Sequence, residues 1–355
     1  MLRYEAVYRP WLGWRLAAEL DAHTDTHRQV ERAWGLAWQD RDLRRSAFAV
    51  RRLSATWRRG PLTFEAGKQF IRWGKTDLLN PTDRFAPRDY LEVVDNDFLG
   101  VTAARLTFEK GNDTVDLVWQ PRFTPSRLPL LNQRWVVLPD VPIRDAGAHY
   151  PGRSQFGARW NHVGSGFEYS LSCFDGFNHL PLLAPQVLLD PMRVQLTRLY
   201  PSMRMYGADA AVPLKWFTAK GETAWFTSRT GAADEYVLYV VQVERQASEW
   251  FLVGGYAGEK VTAARRRLDF SPERGLARAV LAHAGYTIDT NRSLALEAAL
   301  RDNGDGLWAR FSYSHALGSH WRATAAFTLI RGATDDFFGQ YRRNSHAALT
   351  LRYSF

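Results

Sequence analysis

The chain has 355 residues and carries 46 Lys and Arg against 37 Asp and Glu, which gives a formal net charge of +9. No stretch approaches the ~20 consecutive apolar residues of a membrane-spanning helix, although 46% of the residues are hydrophobic. The basic residues are scattered and form no recognisable module, which argues against nucleic acid as a partner. The single cysteine, Cys173, excludes an intramolecular disulfide and multi-cysteine metal sites.

Apolar and polar side chains alternate with a period of two along the chain, which predicts β-strands. Most of these segments have the ~9–11 residues that a tilted strand needs to cross a bilayer. Cys173 falls on the apolar face of one of them, which favours a lipid-facing or buried side chain over a nucleophile. The predicted strands lie at residues 2–9, 12–20, 46–57, 61–71, 98–108, 113–120, 154–162, 166–174, 204–212, 216–227, 236–245, 249–258, 278–287, 293–301, 307–315, 320–330 and 346–355.

The last predicted strand places Leu349, Leu351 and Tyr353 on one face and ends on Phe355. In this feature the chain resembles bacterial outer-membrane β-barrels, whose last strand ends in Phe and whose lipid-facing band is edged by aromatic residues. The resemblance implies an outer-membrane location, contact with lipid and lipopolysaccharide, and recognition of the last strand by the barrel-assembly machinery. The 14 Trp and 14 Tyr suit a membrane interface. An edge strand of a soluble β-sandwich is the alternative for this strand alone.

Short and long links alternate between the predicted strands with one exception, residues 302–306, as in outer-membrane barrels with short periplasmic turns and long extracellular loops. We therefore expect one all-β domain over residues 1–355, with 121–153 and 175–203 as long extracellular loops. Single-chain bacterial barrels close with an even strand number, whereas seventeen strands are predicted here. The expectation is a transmembrane antiparallel up-and-down barrel of 16–18 strands, with the signal peptide absent from this chain. The even number is reached either with one further N-terminal strand, also absent from this chain, or with one fewer strand than predicted.

The stretch from Gly67 to Tyr90 runs from a strand into a long loop that carries many acids and bases. Over about residues 60–110 it resembles porin-like families that include alginate-export barrels and uncharacterised proteobacterial barrels found near lipid or sterol transport genes. The resemblance implies that loop 72–97 folds into the lumen as a constriction; the alternative keeps it on the outer surface, its charges paired with each other or with lipopolysaccharide. The predicted constriction residues are Arg72, Lys75, Asp77, Asp83, Arg84, Arg88 and Asp89.

The polar faces of the strands predict a water-filled lumen. The resemblance implies that Asp77, Asp83 and Asp89 face a wall of inward arginines. Inward acids interleave with these arginines, so net basicity alone does not predict anion specificity. The predicted arginine wall is Arg159, Arg301, Arg310, Arg322 and Arg352, and the other predicted lining residues are Asp116, Glu168, Glu222 and Glu297.

These features predict an outer-membrane channel for passive diffusion of small polar or anionic solutes. The motifs Gly-x-Ser-x-Gly, His-Glu-x-x-His and Gly-x-x-x-x-Gly-Lys are absent, and we predict no enzyme activity, catalytic residue, metal or cofactor. One alternative is an export or uptake barrel for lipid-like or polymeric substrates that works with periplasmic partners. Another is a scaffold barrel that sheathes a partner protein. General porins are commonly trimers, so a homo-oligomer is left open as a further expectation.

Overall fold

The computed structural model describes residues 1–33, 35–94, 96–136, 142–189, 192–231, 233–265 and 268–354. None of the helices in these ranges is long and apolar enough to cross a membrane. The helices are α1 (Pro272–Gly275) and a 3₁₀ helix (Gly339–Asn344). The strands are β1 (Leu2–Tyr8), β2 (Trp14–Ala22), β3 (Leu36–Ala37), β4 (Phe48–Arg59), β5 (Leu62–Gln69), β6 (Arg88–Asp89), β7 (Asp97–Phe98), β8 (Val101–Lys110), β9 (Asp113–Gln120), β10 (Ile143–His149), β11 (Gln155–Gly164), β12 (Phe167–Phe177), β13 (Leu182–Leu189), β14 (Met192–Leu199), β15 (Ser202–Pro213), β16 (Thr218–Thr227), β17 (Glu235–Ala247), β18 (Trp250–Ala263), β19 (Leu268–Asp269), β20 (Ala279–Thr287), β21 (Arg292–Arg301), β22 (Gly306–Leu317), β23 (Trp321–Gly332) and β24 (His346–Tyr353).

Within the described ranges, seventeen strands of 7 to 14 residues form one antiparallel meander, and the two-residue β3 adds to it in parallel with β4. Every strand predicted from the alternation is present, and the predicted up-and-down barrel fold of 16–18 strands is confirmed. The order of pairing is β1, β2, β4, β5, β8, β9, β11, β12, β15, β16, β17, β18, β20, β21, β22, β23 and β24.

Tight turns connect the strands at one end of the sheet, and longer segments connect them at the other, except for the short link between β21 and β22. Gly111 and Gly318 occupy such turns with φ of +59° and +68°, a backbone conformation that glycine adopts at little steric cost. We call the two ends of the sheet the short-turn end and the long-loop end.

Side chains alternate between two faces, as the strand period requires. The outward face is apolar: Leu349 and Leu351 of β24 are 79% and 61% exposed, and Cys173 of β12 is also exposed on this face. The inward face carries most of the polar and charged side chains. The last strand therefore has the predicted division into an apolar and a polar face, but Phe355 lies outside the described residues.

Strands β1 and β24 lie at the two edges of the sheet, and no pairing joins them in the described part of the chain. An odd number of antiparallel strands leaves these two running in the same direction. The expected additional N-terminal strand stays a prediction.

The long segments are more ordered than predicted. Segments 121–153 and 175–203 were expected to be long extracellular loops, but they contribute β10, β13 and β14 to a second sheet completed by β19. Pro185 lies in β13, whose pairing with β19 involves only Leu182 and Leu183. The missing N–H of Pro185 is tolerated because this part of β13 is an edge in the described pairing.

Candidate channel constriction

The segment from residue 72 to residue 97, called the inner segment below, packs against the inward face of the sheet. Its Trp73 and Phe85 are at most 2% exposed, and their rings lie 5.3 Å apart between centroids. Phe85 also contacts Phe174 of β12, with centroids 5.0 Å apart. These rings belong to an apolar cluster that includes Val118 and Met205 from the wall. Burial of such aromatic side chains fixes one face of the inner segment to the wall.

Two inward-facing glycines make room for the inner segment. A Cβ atom on Gly157 of β11 would lie 2.6 Å from the rings of Trp73 and Phe85. A Cβ atom on Gly207 of β15 would lie 2.6 Å from the Thr82 methyl group. Such contacts are far below van der Waals separation, so side chains at either position would displace the segment. Neither glycine was among the predicted site residues. Their place on the polar face of predicted strands was the one feature of the sequence that pointed to close packing on the inside.

Glu222 of β16 binds the inner segment through five hydrogen bonds. One carboxylate oxygen accepts from the backbone N–H groups of Lys75 and Thr76 at 2.9 and 3.1 Å and from the Thr76 hydroxyl at 2.9 Å. The other accepts from the backbone N–H and the hydroxyl of Thr82, both at 2.8 Å. Glu222 is only 3% exposed. This predicted lining residue is therefore a buried acceptor that satisfies backbone donors of the inner segment.

Asp83 folds the inner segment onto itself. Its Oδ1 accepts hydrogen bonds from the backbone N–H groups of Trp73 and Gly74 at 2.5 and 2.6 Å. Arg72 donates weakly to Oδ2 at 3.4 Å and is half-exposed. A carboxylate that accepts from backbone amides holds the two ends of this turn together.

Asp77 and Lys75 join the inner segment to charged wall residues. Asp77 accepts from Lys220 at 3.0 Å and from Gln242 at 2.6 Å. Burial acts to raise the pKa of Asp77, but the hydrogen bonds from Lys220 and Gln242 outweigh it and lower the pKa. Lys75 forms an ion pair with Glu168, another predicted lining residue.

A buried ionic cluster around Asp89 fixes the inner segment. Asp89 is paired with Arg127 at 2.6 Å and with Arg45 at 2.9 Å. Arg127 also lies 3.3 Å from Asp40, which in turn lies 2.7 Å from the ammonium of Lys68. Burial opposes ionisation of Asp89, yet Arg127 and Arg45 lower its pKa. Asp89 thus joins three separate segments of the chain and is remote from the predicted arginine wall.

Arg84 is buried and paired with Glu273 at 2.9 Å, with its guanidinium over the Phe226 ring. The ring nitrogens of His179 lie 2.7 Å from the Arg84 carbonyl oxygen and 2.6 Å from the Thr124 carbonyl oxygen. This imidazole therefore bridges the inner segment and the segment that follows β9. His179 was not predicted as a site residue, because both of its partners lie far away in sequence and no local motif marks them.

The predicted wall residues form hydrogen bonds and ion pairs within the wall and with the inner segment. Arg159 pairs with Asp209 at 3.0 Å and donates to the Trp73 carbonyl oxygen at 2.5 Å. Asp116 accepts from the Trp73 indole N–H at 2.9 Å and from Arg105 at 2.8 Å.

Arg301 pairs with Asp336 at 3.1 Å, and Arg322 and Arg352 are exposed register partners near the short-turn end. Nearer charges and backbone amides bind Asp77, Asp83 and Asp89 directly. That these acids face the arginine wall across a passage stays a prediction.

A cavity of about 560 Å³ lies between the inner segment and strands β18 and β20–β22. It lies beside an apolar cluster in which Leu79 and Val93 of the inner segment are buried with Leu281 and Ala299 of this wall. Arg310 and Glu297 are register partners on this wall, and His283 lies 3.6 Å from Glu297. The wall also places Trp308 and Leu281 along the cavity. The cavity therefore brings together five of the predicted residues, three from the inner segment and two from the wall: Asp77, Asp83, Arg88, Glu297 and Arg310.

No family model matches the sequence, and no curated protein matches it. The structure is similar to that of OccAB4 from Acinetobacter baumannii, with a TM-score of 0.52 and 7% identity over 93% of this chain and 85% of that chain. OmpT, an outer membrane protein of Vibrio cholerae, in its trimer form, gives a TM-score of 0.45 with 9% identity over 99% and 90% of the two chains. A mutant Rhodopseudomonas blastica porin gives 0.39 with 10% identity over 89% and 94%. At these identities, the likeness to OccAB4 establishes the fold alone, a porin-like barrel.

Proposed function

We propose that this protein is an outer-membrane channel through which small polar or anionic solutes diffuse passively. The observation that carries the proposal is the cavity of about 560 Å³ between the inner segment and the wall, lined by charges of both signs. Such a passage favours polar solutes over apolar ones of equal size, because its fixed charges replace part of their hydration. No catalytic step is required for this function.

The outward face of the sheet supports the proposed location. It presents a continuous apolar surface with large aromatic side chains, such as Trp119, Tyr206 and Trp321, each more than 40% exposed. Tryptophan and tyrosine suit the membrane interface because their rings combine an apolar body with a polar group. In this location the long-loop end faces outward and the short-turn end faces the periplasm. The barrel-assembly machinery as a partner of the last strand is part of the same proposal.

The inner segment is the proposed constriction. Glu222 of the wall accepts hydrogen bonds from it, Asp83 folds it onto itself, and Arg127 and Arg45 pair with its Asp89, so it is held in the interior. Solutes then pass between the exposed carboxylate of Asp77 and the opposite wall with Arg310 and Glu297. A field between fixed charges on two sides of a narrow passage orients polar and zwitterionic solutes.

A lipid-like substrate is the second candidate, and one observation favours it. A second cavity of about 620 Å³ near the long-loop end is lined mainly by apolar side chains, among them Leu130, Trp135, Phe270 and Tyr341. Relation to alginate-export-type porins remains an inference from the sequence of residues 60–110. A scaffold barrel requires a wide, unobstructed interior, and the buried inner segment disfavours it.

Conductance of the refolded protein in planar bilayers tests the proposal. We expect stable single-channel steps in simple salt solutions and uptake of small sugars and amino acids by liposomes that contain the protein. A heat-modifiable, correctly folded barrel that gives no steps and admits no polar solute would overturn the diffusion channel and favour the lipid-like substrate.

A further inference from the structure

A groove of about 740 Å³ lies on the outward face of the sheet, across strands β5, β8, β9, β11, β12 and β15. We call it the outer groove. Its floor contains the small side chains of Ala104, Ala158 and Cys173, which share one face by the register of the strands. Its rim consists of large apolar side chains that are each 39–51% exposed, namely Phe64, Leu106, Leu117, Trp119, Phe156 and Tyr206.

Small residues between large ones make this part of the outward face concave. Contact with lipid alone would require only that the face be apolar. The volume lies within the ~300–1,000 Å³ that is usual for small-molecule sites. A flexible hydrocarbon chain fits such a groove because most of the side chains that line the groove are apolar.

An arginine cluster lies at the long-loop end of the outer groove. Asp175 and Arg204 line the groove at this end and are paired at 3.0 Å. Arg153 and Arg229 also bind the Asp175 carboxylate, at 2.5 and 3.1 Å. One carboxylate thus faces three guanidinium groups, which leaves a local charge of about +2.

The three arginines keep much of their surface accessible. The side chains of Arg153, Arg204 and Arg229 are 44%, 40% and 56% exposed. Each guanidinium has five N–H donors, and the carboxylate of Asp175 receives only one from each arginine in the described hydrogen bonds. Guanidinium groups match phosphate oxygens in geometry and charge.

We propose that the outer groove and the arginine cluster form a binding site for a phosphorylated, multiply acylated glycolipid of the outer leaflet. An acyl chain lies along Cys173 and Tyr206, and a phosphate group contacts Arg204 and Arg229. The site rests on the proposed outer-membrane location, in which the long-loop end lies at the lipopolysaccharide leaflet. Charge complementarity favours this occupant over a second copy of the chain, because identical arginine clusters repel each other.

Cys173 provides a local reporter, since it is the only cysteine of the chain and lies on the groove floor. The experiment measures the rate at which a maleimide modifies Cys173 of the refolded full chain in detergent, with and without added lipid A carrying two phosphates. Matched additions are the same lipid with both phosphates removed, and inorganic phosphate alone. Heat-modifiable migration verifies the fold of every variant.

We expect bisphosphorylated lipid A to slow modification about tenfold, and the dephosphorylated lipid and inorganic phosphate to have little effect. Arg204→Gln combined with Arg229→Gln abolishes the protection, and Asp175→Asn strengthens it by removing the competing carboxylate. Arg331→Gln is the matched control, because Arg331 lies on β23 at the long-loop end but away from the outer groove.

Equal protection by phosphorylated and dephosphorylated lipid, or unchanged protection in the double variant, would overturn the site. Protection that depends on protein concentration rather than on added lipid would also overturn the site, because it would indicate a second copy of the chain in the outer groove. Conductance measured on the same preparations separates the two proposals. A conducting barrel without lipid selectivity contradicts this site alone, and a barrel that binds the lipid but does not conduct contradicts the channel alone.

Discussion

The two halves of the inner wall bind the inner segment in different ways. Strands β9 to β17 contribute Asp116, Asp209 and Glu222, all at most 4% exposed and all engaged by N–H or O–H donors. On strands β20 and β21, by contrast, the side chains of His283 and Glu297 are 28% and 46% exposed along a cavity. The first half holds the inner segment through buried polar groups, whereas the second half packs on it only through apolar side chains such as Leu281 and Ala299 and places its charges along the proposed passage.

The contrast shows that an inward-facing charge has two distinct roles. Glu222 and Glu297 both lie on the inward face of an antiparallel strand, and the alternation pattern predicts the same lumen-facing position for both. Glu222 is buried because Thr76 and Thr82 of the inner segment donate to it. Glu297 borders the cavity, so under the proposed function its charge acts on solutes rather than on the backbone.

The largest expected effect comes from removing Glu222. Glu222→Ala leaves buried backbone donors of the inner segment unpaired, and we expect a loss of about 4 kcal/mol of unfolding free energy. The released segment also gives larger and noisier single-channel conductance. Urea unfolding in lipid vesicles and planar-bilayer recordings measure the two effects. Glu297→Ala is the control, and we expect its stability to change by less than about 1 kcal/mol; equal losses in the two variants would contradict the division of the wall.

The Asp89 cluster gives the next effect, and it depends on pH. Asp89→Asn leaves Arg127 partly uncompensated in a buried site, which we expect to cost about 3 kcal/mol at pH 7. The lowered pKa means that the ionised acid is stabilised by the fold. Its contribution is complete above the ordinary pKa of 3.8 and is lost as the pH falls through the lower pKa of the folded state.

Unfolding curves of the wild type and Asp89→Asn should therefore differ at pH 7 and converge in strong acid. A difference that is independent of pH would show that the Asp89 charge does not stabilise the cluster.

A smaller effect is expected at Gly157. Gly157→Ala forces a methyl group against Trp73 and Phe85, and overpacking of this kind costs about 1–3 kcal/mol. Tryptophan fluorescence should shift as Trp73 moves from its buried position. Gly254→Ala is the matched control in β18, because no atom lies within 4 Å of the added Cβ there. Equal stability of both variants would contradict the close packing of the inner segment on β11.

The strands could be predicted from the sequence because alternation is local and repeats along the whole chain. The second sheet at the long-loop end could not be predicted, since residues 175–203 form a long link between two predicted strands and only the tertiary pairing of β13 with β14 and β19 orders them. The charged residues of the inner segment could be predicted because acids and bases are dense in residues 72–97. Their partners could not be predicted, because Glu222 and Arg127 lie far away in sequence and many inward charges compete as partners.

The central claim, that solutes pass between the inner segment and the β18–β22 wall, is tested most directly by ion selectivity. Asp77→Asn and Arg310→Gln remove opposite charges from the two sides of the cavity. The measurement is the reversal potential of single channels under a salt gradient, with Arg331→Gln on the outward face as control. The account predicts that Asp77→Asn shifts selectivity towards anions, that Arg310→Gln shifts it towards cations, and that the control matches the wild type. Conducting channels whose reversal potential neither substitution moves would place the passage elsewhere and contradict the account.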